Sequence, residues 1–294
     1  MANLKAIRIR IASVKSTRQI TSAMKMVSAA KLRKAQDKIV RLRPYANKLH
    51  QILVDVSRSL SDSEVENVYG RISQPARVLI VVITSNRGLC GAFNSNVIKE
   101  TRRIISEEYN EQYKNGNLKL ITIGKKGFDY FRKQKVSMLP DQNNLLLDLT
   151  FDNVTLVADQ VMKSFTSGEF DRVILIYNQF KNAAVQNLTV EKFLPVESVP
   201  PGKVNSVPVD YIYEPGMEEI IQELIPKSLK IQFYKAILDS FVAEHGARMT
   251  SMHKATDNAT SMIRELTLLY NKARQSTITN QILEVVSGAE ALKG

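Results

Sequence analysis

Two segments, one at each end of the chain, carry apolar residues at alternating spacings of three and four. In the first segment these positions continue from residue 32 as Leu32, Ala35, Ile39, Leu42, Ala46, Leu49, Leu53, Val56 and Leu60. Upstream, Leu4, Ile7, Ile11 and Val14 keep the same spacing, and the apolar pattern lapses at Arg18. A mean repeat of about 3.5 residues predicts a long helix that winds around a partner helix.

The second segment, from about residue 227 to residue 286, also has helical spacing. No proline follows Pro226, and no glycine lies between Gly246 and Gly288. The apolar pattern runs through Met252, Ala255, Ala259, Met262, Leu266, Leu269 and Ala273. A helix of this length spans roughly 90 Å at about 1.5 Å per residue, too long to fold back on a small domain. We therefore expect it to pair with the N-terminal helix, antiparallel because both helices leave the same compact domain.

The middle of the chain alternates between apolar strand-like runs and helical stretches. Strands are predicted at residues 77–84, 118–123, 172–177 and 185–193, and the helices between them at 92–113, 125–135 and 152–165. This alternation predicts a small Rossmann-like α/β domain with a largely parallel sheet. The expected fold is α/β plus a long antiparallel coiled coil, with the terminal helices paired and the α/β domain inserted between them. The predicted boundaries are 1–60, 76–208 and 217–288.

The excess positive charge is confined to the first 50 residues. They hold 13 Lys or Arg and one acidic residue, Asp37, so their balance of +12 equals the net charge of the whole chain. An ordinary exposed helix mixes charges of both signs, so the near-absence of acidic residues indicates an acidic partner, either nucleic acid or protein. A mitochondrial targeting peptide is a weaker interpretation, because the heptads continue past any plausible cleavage point.

No arrangement of residues predicts catalysis, a metal site or a cofactor. Cys90 is the single cysteine, and His50, His245 and His253 are scattered without a metal-binding spacing. The glycines in 85–91 and 124–127 follow strands but lack the spacing of phosphate-binding loops, so tight turns are the favoured interpretation over a nucleotide site. The longest apolar run, 78–83, is far shorter than the ~20 residues of a membrane-spanning helix.

Several sequence blocks nevertheless resemble one family over the whole chain. They are IASVKSTRQIT at 11–21, AMKMVSAAK at 23–31, RGLCG at 87–91, ATDNA at 255–259, YNKARQSTIT at 270–279 and VSGA at 286–289. In order and spacing these blocks are similar to those of the gamma subunits of rotary ATP synthases. The chain lacks the two-cysteine insert of chloroplast members, which excludes thiol control. Because no plausible presequence is present, we expect a bacterial enzyme.

The resemblance implies a function as the central rotor shaft of a proton-translocating ATP synthase. Such a shaft transmits torque from the membrane c-ring to the catalytic hexamer, for ATP synthesis. It implies one copy of this chain with three alpha subunits, three beta subunits, an epsilon subunit and the c-ring. The chain itself would be a non-catalytic subunit of this H+-transporting two-sector ATPase, without a cofactor. It would lie at the cytoplasmic face of the bacterial cell membrane and contact the membrane only through the c-ring.

The resemblance also implies roles for individual residues. Arg274 and Gln275 match a hydrogen-bonded catch with a beta subunit, and Met24 and Lys25 match the region near the acidic lever loops of beta. Tyr211, Tyr213 and Glu214 match the foot that rests on the c-ring, and the tip at 282–286 would turn in an apolar sleeve. The alternative function is a coiled-coil protein that binds nucleic acid through its basic N-terminal helix.

Overall fold

A computed structural model of the chain describes residues 4–59, 68–70, 75–196 and 217–291. In chain order its elements are α1 (Leu4–Ser59), β1 (Val78–Ile83), α2 (Phe93–Glu107), α3 (Asn110–Lys114), β2 (Leu118–Ile123), α4 (Lys125–Lys133), α5 (Phe151–Thr166), β3 (Arg172–Phe180), β4 (Gln186–Leu194) and α6 (Met217–Ala291). Short 3-10 turns occur at Val68–Gly70 and Asn143–Leu146. The chain forms two units, one of residues 1–29 with 248–294 and one of residues 30–247.

The four predicted strands are confirmed, and they form one mixed sheet in the order β2-β1-β3-β4. Strand β1 is parallel to both β2 and β3, with Val78 opposite Leu118 on one side and Arg172 on the other. Strand β4 closes the sheet antiparallel to β3. Every residue of β1 is buried, as expected for a central parallel strand covered by helices on both faces.

The predicted helix over residues 92–113 is two helices, because the chain turns at Tyr109. Its φ angle of −127° ends the helical path of α2 before α3 begins. The Tyr109 side chain is only 5% exposed and packs into the apolar cluster beside α2, together with Ile104 and Leu118. Its hydroxyl accepts a hydrogen bond from Arg172 Nη1 at 3.2 Å. Burial of a large aromatic ring therefore interrupts the helical periodicity.

The N- and C-terminal helices are paired, and they run antiparallel. In the unit of residues 1–29 and 248–294, three side-chain hydrogen bonds join them, at Arg8–Tyr270, Thr21–Thr256 and Lys25–His253. Residue numbers rise along α1 as they fall along α6, and each pair of numbers adds to about 278. This near-constant sum gives the alignment of the two helices.

The buried face of α1 does not lapse at Arg18, although its apolar composition does. Arg18 and Lys25 are half-buried, while Thr21 and Ser28 are 8% and 3% exposed, at the same spacing of three and four. The spacing then joins the apolar positions that begin at Leu32. Polar side chains thus take the facing positions through the stretch in which the apolar pattern lapses.

Two positions assigned to the facing side of α6 from the sequence are wrong. Met262 is 41% exposed and Leu269 is 48% exposed. Ile263 and Tyr270 are half-buried in their place. From Met252 to Ile263 the facing residues follow one another at intervals of three, four and four, which add to 11 residues over three turns. The period of this 11-residue interval is closer to that of a straight α-helix than the period of a heptad is. The facing stripe therefore moves by one residue at this point.

Candidate partner-binding site on the paired helices

The first question about function is whether the glycine turns after β1 and β2 bind an anion. The N–H groups at the start of α4 are already engaged within the protein. The N–H of Lys125 donates to Asn86 Oδ1 at 2.9 Å, that of Lys126 to the carbonyl of Ser85 at 3.1 Å and that of Gly127 to Thr84 Oγ1 at 2.9 Å. Because these donors are used internally, they are not available to cradle a phosphate group.

The crevice beside the carboxyl end of β1 is filled by the chain itself. In open α/β sheets this is the usual place for a ligand, because the chain reverses its strand order there. Here Cys90 and Phe93 pack against Ala243 and Ala247 of α6. The tight-turn interpretation of the RGLCG block therefore fits the geometry better than a nucleotide site does.

No catalytic or metal-binding constellation forms among the described residues. The Cys90 thiol is buried, and it accepts a hydrogen bond from Asn94 Nδ2 at 3.3 Å. His245 is buried with its ring edge-on to Phe241, at a centroid distance of 4.5 Å. Over the ranges that the structure covers, no cluster of three or more His, Cys, Asp or Glu side chains is suitable for a metal ion.

The basic surface of α1 is exposed, as its composition predicts. Lys31, Arg33, Lys34 and Arg41 all face solvent. None of these four has an ion-pair partner within the described parts of the chain. Lys38, on the same stretch, makes a hydrogen bond to backbone: its ammonium donates to the carbonyl oxygen of Leu149 at 3.5 Å. Uncompensated cations on a helix are suited to an acidic surface supplied from outside.

Met24 and Lys25 lie on α1 and are half-buried. Lys25 Nζ is 3.4 Å from His253 Nδ1 of α6. The same Nδ1 is 3.4 Å from Asp257 Oδ2, one turn further along α6. His253 therefore joins Lys25 and Asp257 in a polar chain of three residues.

Arg274 and Gln275 lie on the exposed side of α6, and Arg274 makes no hydrogen bond or ion pair within the described residues. One turn earlier, Tyr270 is held by Arg8, whose Nη2 donates to the Tyr270 hydroxyl at 3.1 Å. Arg274 follows His253 by 21 residues, which is about 30 Å along a helix. The two predicted contact sets are therefore separate zones and do not form one site.

The end of α6 exposes an aliphatic surface. By the alignment of the two helices, α6 residues after Arg274 lie beyond Leu4, the first residue of α1 that the structure describes. This stretch carries five exposed large apolar side chains: Ile278, Ile282, Leu283, Val285 and Val286 at 46%, 57%, 57%, 72% and 52% exposure. A concentration of exposed apolar groups on one helix end marks a surface that a partner covers.

The three predicted foot residues, Tyr211, Tyr213 and Glu214, lie outside the described residues.

The sequence analysis did not assign a site role to four residues that make polar contacts on the paired helices: Thr21, Thr256, Asp257 and Tyr270. Their roles depend on which residues face each other across the helix pair. A heptad pattern alone does not give this alignment, because it repeats every seven residues.

Comparison with known proteins identifies the family. The family model described as ATP synthase matches residues 3–292. The chain is 55% identical to a Flavobacterium johnsoniae protein named ATP synthase gamma chain, with complete coverage of both chains. It is 50% identical to the protein of the same name from Cytophaga hutchinsonii, over 99% of each chain.

Solved structures agree on the fold. A cryo-EM structure of the Euglena gracilis mitochondrial ATP synthase, described as OSCP/F1/c-ring, contains a similar chain with a TM-score of 0.68 and 23% identity, covering 98% of this chain and 94% of that one. A central stalk/c-ring structure from Tetrahymena thermophila gives a TM-score of 0.58 and 25% identity, covering 80% and 99%. The chain belongs to the family of ATP synthase gamma chains, non-catalytic subunits of the central stalk of the ATP synthase complex.

Proposed function

We propose that this chain is the central rotor shaft of a proton-translocating ATP synthase and transmits torque from the membrane c-ring to the catalytic alpha/beta hexamer. The observation that carries this proposal is the exposed surface of the paired helices in the first unit. There Arg274 has no partner within the described residues, and the end of α6 exposes its aliphatic side chains. Such a surface is completed by other chains rather than by its own fold.

The proposed assembly contains one copy of this chain with three alpha subunits, three beta subunits, an epsilon subunit and the c-ring. The uncompensated cations of α1 support acidic partners around the N-terminal helix. No described helix is long and apolar enough to cross a bilayer. We place the assembled chain at the cytoplasmic face of the bacterial cell membrane, with membrane contact through the c-ring alone.

From the sequence resemblance we assign two contact zones with beta subunits. Met24 and Lys25 form the zone that meets the acidic lever loops. Arg274 and Gln275 form the catch, in which a guanidinium group binds a carboxylate through two parallel hydrogen bonds and still releases it. The end of α6 at 282–286 turns in an apolar sleeve. From the sequence resemblance, Tyr211, Tyr213 and Glu214 form the foot on the c-ring.

Substitution of Arg274 tests the catch. In the reconstituted enzyme we expect Arg274→Ala to lower the rate of ATP synthesis by about tenfold, since a charge-assisted hydrogen bond contributes about 1.5–3 kcal/mol and each ~1.4 kcal/mol of barrier is a factor of ten. Arg274→Lys keeps the charge but cannot make the bidentate pair of hydrogen bonds, so we expect a rate of ATP synthesis between those of Arg274→Ala and the unmodified enzyme.

The matched control is Lys272→Ala, which removes a cation from a nearby exposed position of α6. Its rate of ATP synthesis should remain close to that of the unmodified enzyme. The far-ultraviolet circular dichroism of all three variants should match that of the unmodified chain, because neither residue is buried. An unchanged rate of ATP synthesis in the Arg274→Ala enzyme would refute the catch.

A further inference from the structure

One nitrogen atom of the helix pair faces two groups of opposite charge. His253 Nδ1 lies 3.4 Å from the Lys25 ammonium on α1 and 3.4 Å from the Asp257 carboxylate on α6. An imidazole nitrogen either offers a lone pair or carries a proton, so it accepts from the first group or donates to the second. The two contacts therefore exclude each other: the first needs an unprotonated Nδ1, and the second needs Nδ1–H, which the doubly protonated ring always carries.

The surroundings leave this choice to a small set of charges. On α1 the residues about one turn to either side of Lys25, at 21–22 and 28–29, are threonine, serine or alanine. On α6 the other titratable neighbour is Lys254, which is exposed. The side chains of His253 and Asp257 are 57% and 66% exposed, so solvent supplies and removes the proton directly.

We propose that His253 is a positioning residue that holds Lys25 against the helix pair while the imidazole is neutral and releases it when the ring gains a second proton. In the neutral ring, the Nδ1 lone pair accepts a hydrogen bond from the Lys25 ammonium. In the protonated ring, Nδ1–H donates to Asp257 Oδ2, and the positive charge repels the ammonium. The only chemical change is the transfer of one proton from solvent to the ring.

The consequence concerns the zone in which Lys25 meets the beta subunits, so this inference rests on the proposed function. Histidine is the side chain that gains or loses a proton within the pH range that cells experience. With a neutral ring, the Lys25 ammonium is shared with His253 and is less available to an external carboxylate. With a protonated ring, the ammonium is released to bind an acidic group, which strengthens contact with a lever loop.

Two substitutions of His253 imitate the two states. His253→Gln keeps a neutral side chain whose carbonyl oxygen accepts from Lys25 at every pH. His253→Lys keeps a permanent positive charge that pairs with Asp257 and repels Lys25. Lys254→Gln is the matched control, because it alters the charge at the adjacent position without touching the Nδ1 contacts.

The first measurement uses the full chain alone. With ¹⁵N-labelled lysine, the Lys25 ammonium signal is followed by NMR from pH 8 to pH 5.5 and assigned through Lys25→Gln. We expect it to shift together with the His253 ring signal in the unmodified chain and in Lys254→Gln, and to stay constant in His253→Gln. A Lys25 signal that is indifferent to protonation of His253 would overturn the proposal.

The second measurement uses the chain assembled with alpha and beta subunits. The ratio of ATP hydrolysis rates at pH 6 and pH 8 should change by about twofold in His253→Gln relative to the unmodified complex, as expected for weak exposed pairs. The ratio in Lys254→Gln should stay the same. If the NMR result holds but Lys25→Gln leaves the pH profile of the complex unchanged, His253 still positions Lys25, and it is the lever contact of Lys25 that fails.

Discussion

Gly124 offers the sharpest test of the packing in the α/β unit, because the site has no room for any side chain. Its φ angle is +111°, and a Cβ atom at this position would lie 2.2 Å from the carbonyl oxygen of Thr84. Thr84 directly follows β1, and it is tied to β2 by a hydrogen bond from its N–H to the Ile123 carbonyl at 2.8 Å. The backbone cannot retreat without breaking the sheet at this edge.

The cost of Gly124→Ala follows from two contributions. A non-glycine residue at such a φ angle costs about 1–3 kcal/mol. Moving Thr84 away breaks the two shorter of its side-chain hydrogen bonds, to the Gly124 carbonyl at 3.0 Å and from the Gly127 N–H at 2.9 Å, at about 0.5–1.5 kcal/mol each. We therefore expect the free energy of unfolding to fall by about 4 kcal/mol, a large part of the total for an ordinary domain.

Gly116→Ala is the matched control. Gly116 also has a positive φ angle, +73°, but nothing lies within 4 Å of the position of its Cβ atom. This variant meets only the backbone cost, about 1–2 kcal/mol. Thermal unfolding of the full chain, followed by circular dichroism, should show a fall in Tm of about 4 °C for Gly116→Ala and roughly 10 °C or more for Gly124→Ala.

Equal Tm values for the two variants would refute this reasoning. That outcome would mean that the close contact with Thr84 does not decide the residue at position 124. A glycine retained for access of a ligand would give such a result, since its replacement by alanine would impair binding and leave stability at the level of the control. The comparison thus separates a packing role from a binding role for the GKKG sequence at 124–127.

Two further predictions concern hydrogen bonds that join elements. Thr21 Oγ1 and Thr256 Oγ1 lie 2.8 Å apart, and either hydroxyl can be the donor, since each also reaches a carbonyl of its own helix: that of Arg18 at 3.1 Å and that of Met252 at 2.8 Å. A double-mutant cycle of Thr21→Val and Thr256→Val, read by hydrogen exchange of the local amides, should give a coupling of about 0.5–1.5 kcal/mol, and a coupling of zero would contradict the bond. Burial, followed by the charge and hydrogen bond of Glu191, raises the pKa of Tyr177, whose hydroxyl donates to Glu191 Oε2 at 2.7 Å. The contribution of the Tyr177 hydroxyl to stability is therefore complete below about pH 10 and is lost as the pH rises toward the folded-state pKa. In urea unfolding, Tyr177→Phe should lower the unfolding free energy by about 1 kcal/mol at pH 8 and by less at pH 11. An equal loss at both pH values would contradict this assignment.

The sequence predicted the elements well because their signals are local. A run of β-branched residues and leucine such as 78–83 has few alternatives to a buried strand, and the spacing of three and four defines the buried face of α1. The break at Tyr109 escaped prediction because a polar-tipped aromatic ring is compatible with both an exposed helix and a buried turn. Only the surrounding core, together with Arg172, decides between them.

The candidate site was predicted less completely, since it depends on how two helices are aligned. Met262 and Leu269 were placed on the facing side because a strict heptad was continued through an 11-residue interval. The His253 side chain is exposed, and its contact with Lys25 becomes evident only once the alignment of the two helices is known. Nothing in a seven-residue repeat distinguishes one alignment from another shifted by seven.

The passage of α6 through the carboxyl-end crevice of the sheet has a mechanical consequence. Gly246 lies so close to the β3–β4 hairpin that a Cβ atom there would be 3.2 Å from Ala183 Cα, and Ala243 and Ala247 fill the space beside Phe93. Close-packed atoms resist compression, so a sideways load on this part of the helix is borne directly by the backbone of the turn between β3 and β4. The α/β unit thereby holds this part of α6 through steric fit. The crevice in which other open α/β sheets bind a ligand is filled here by the helix, and its packing stiffens the helix against bending.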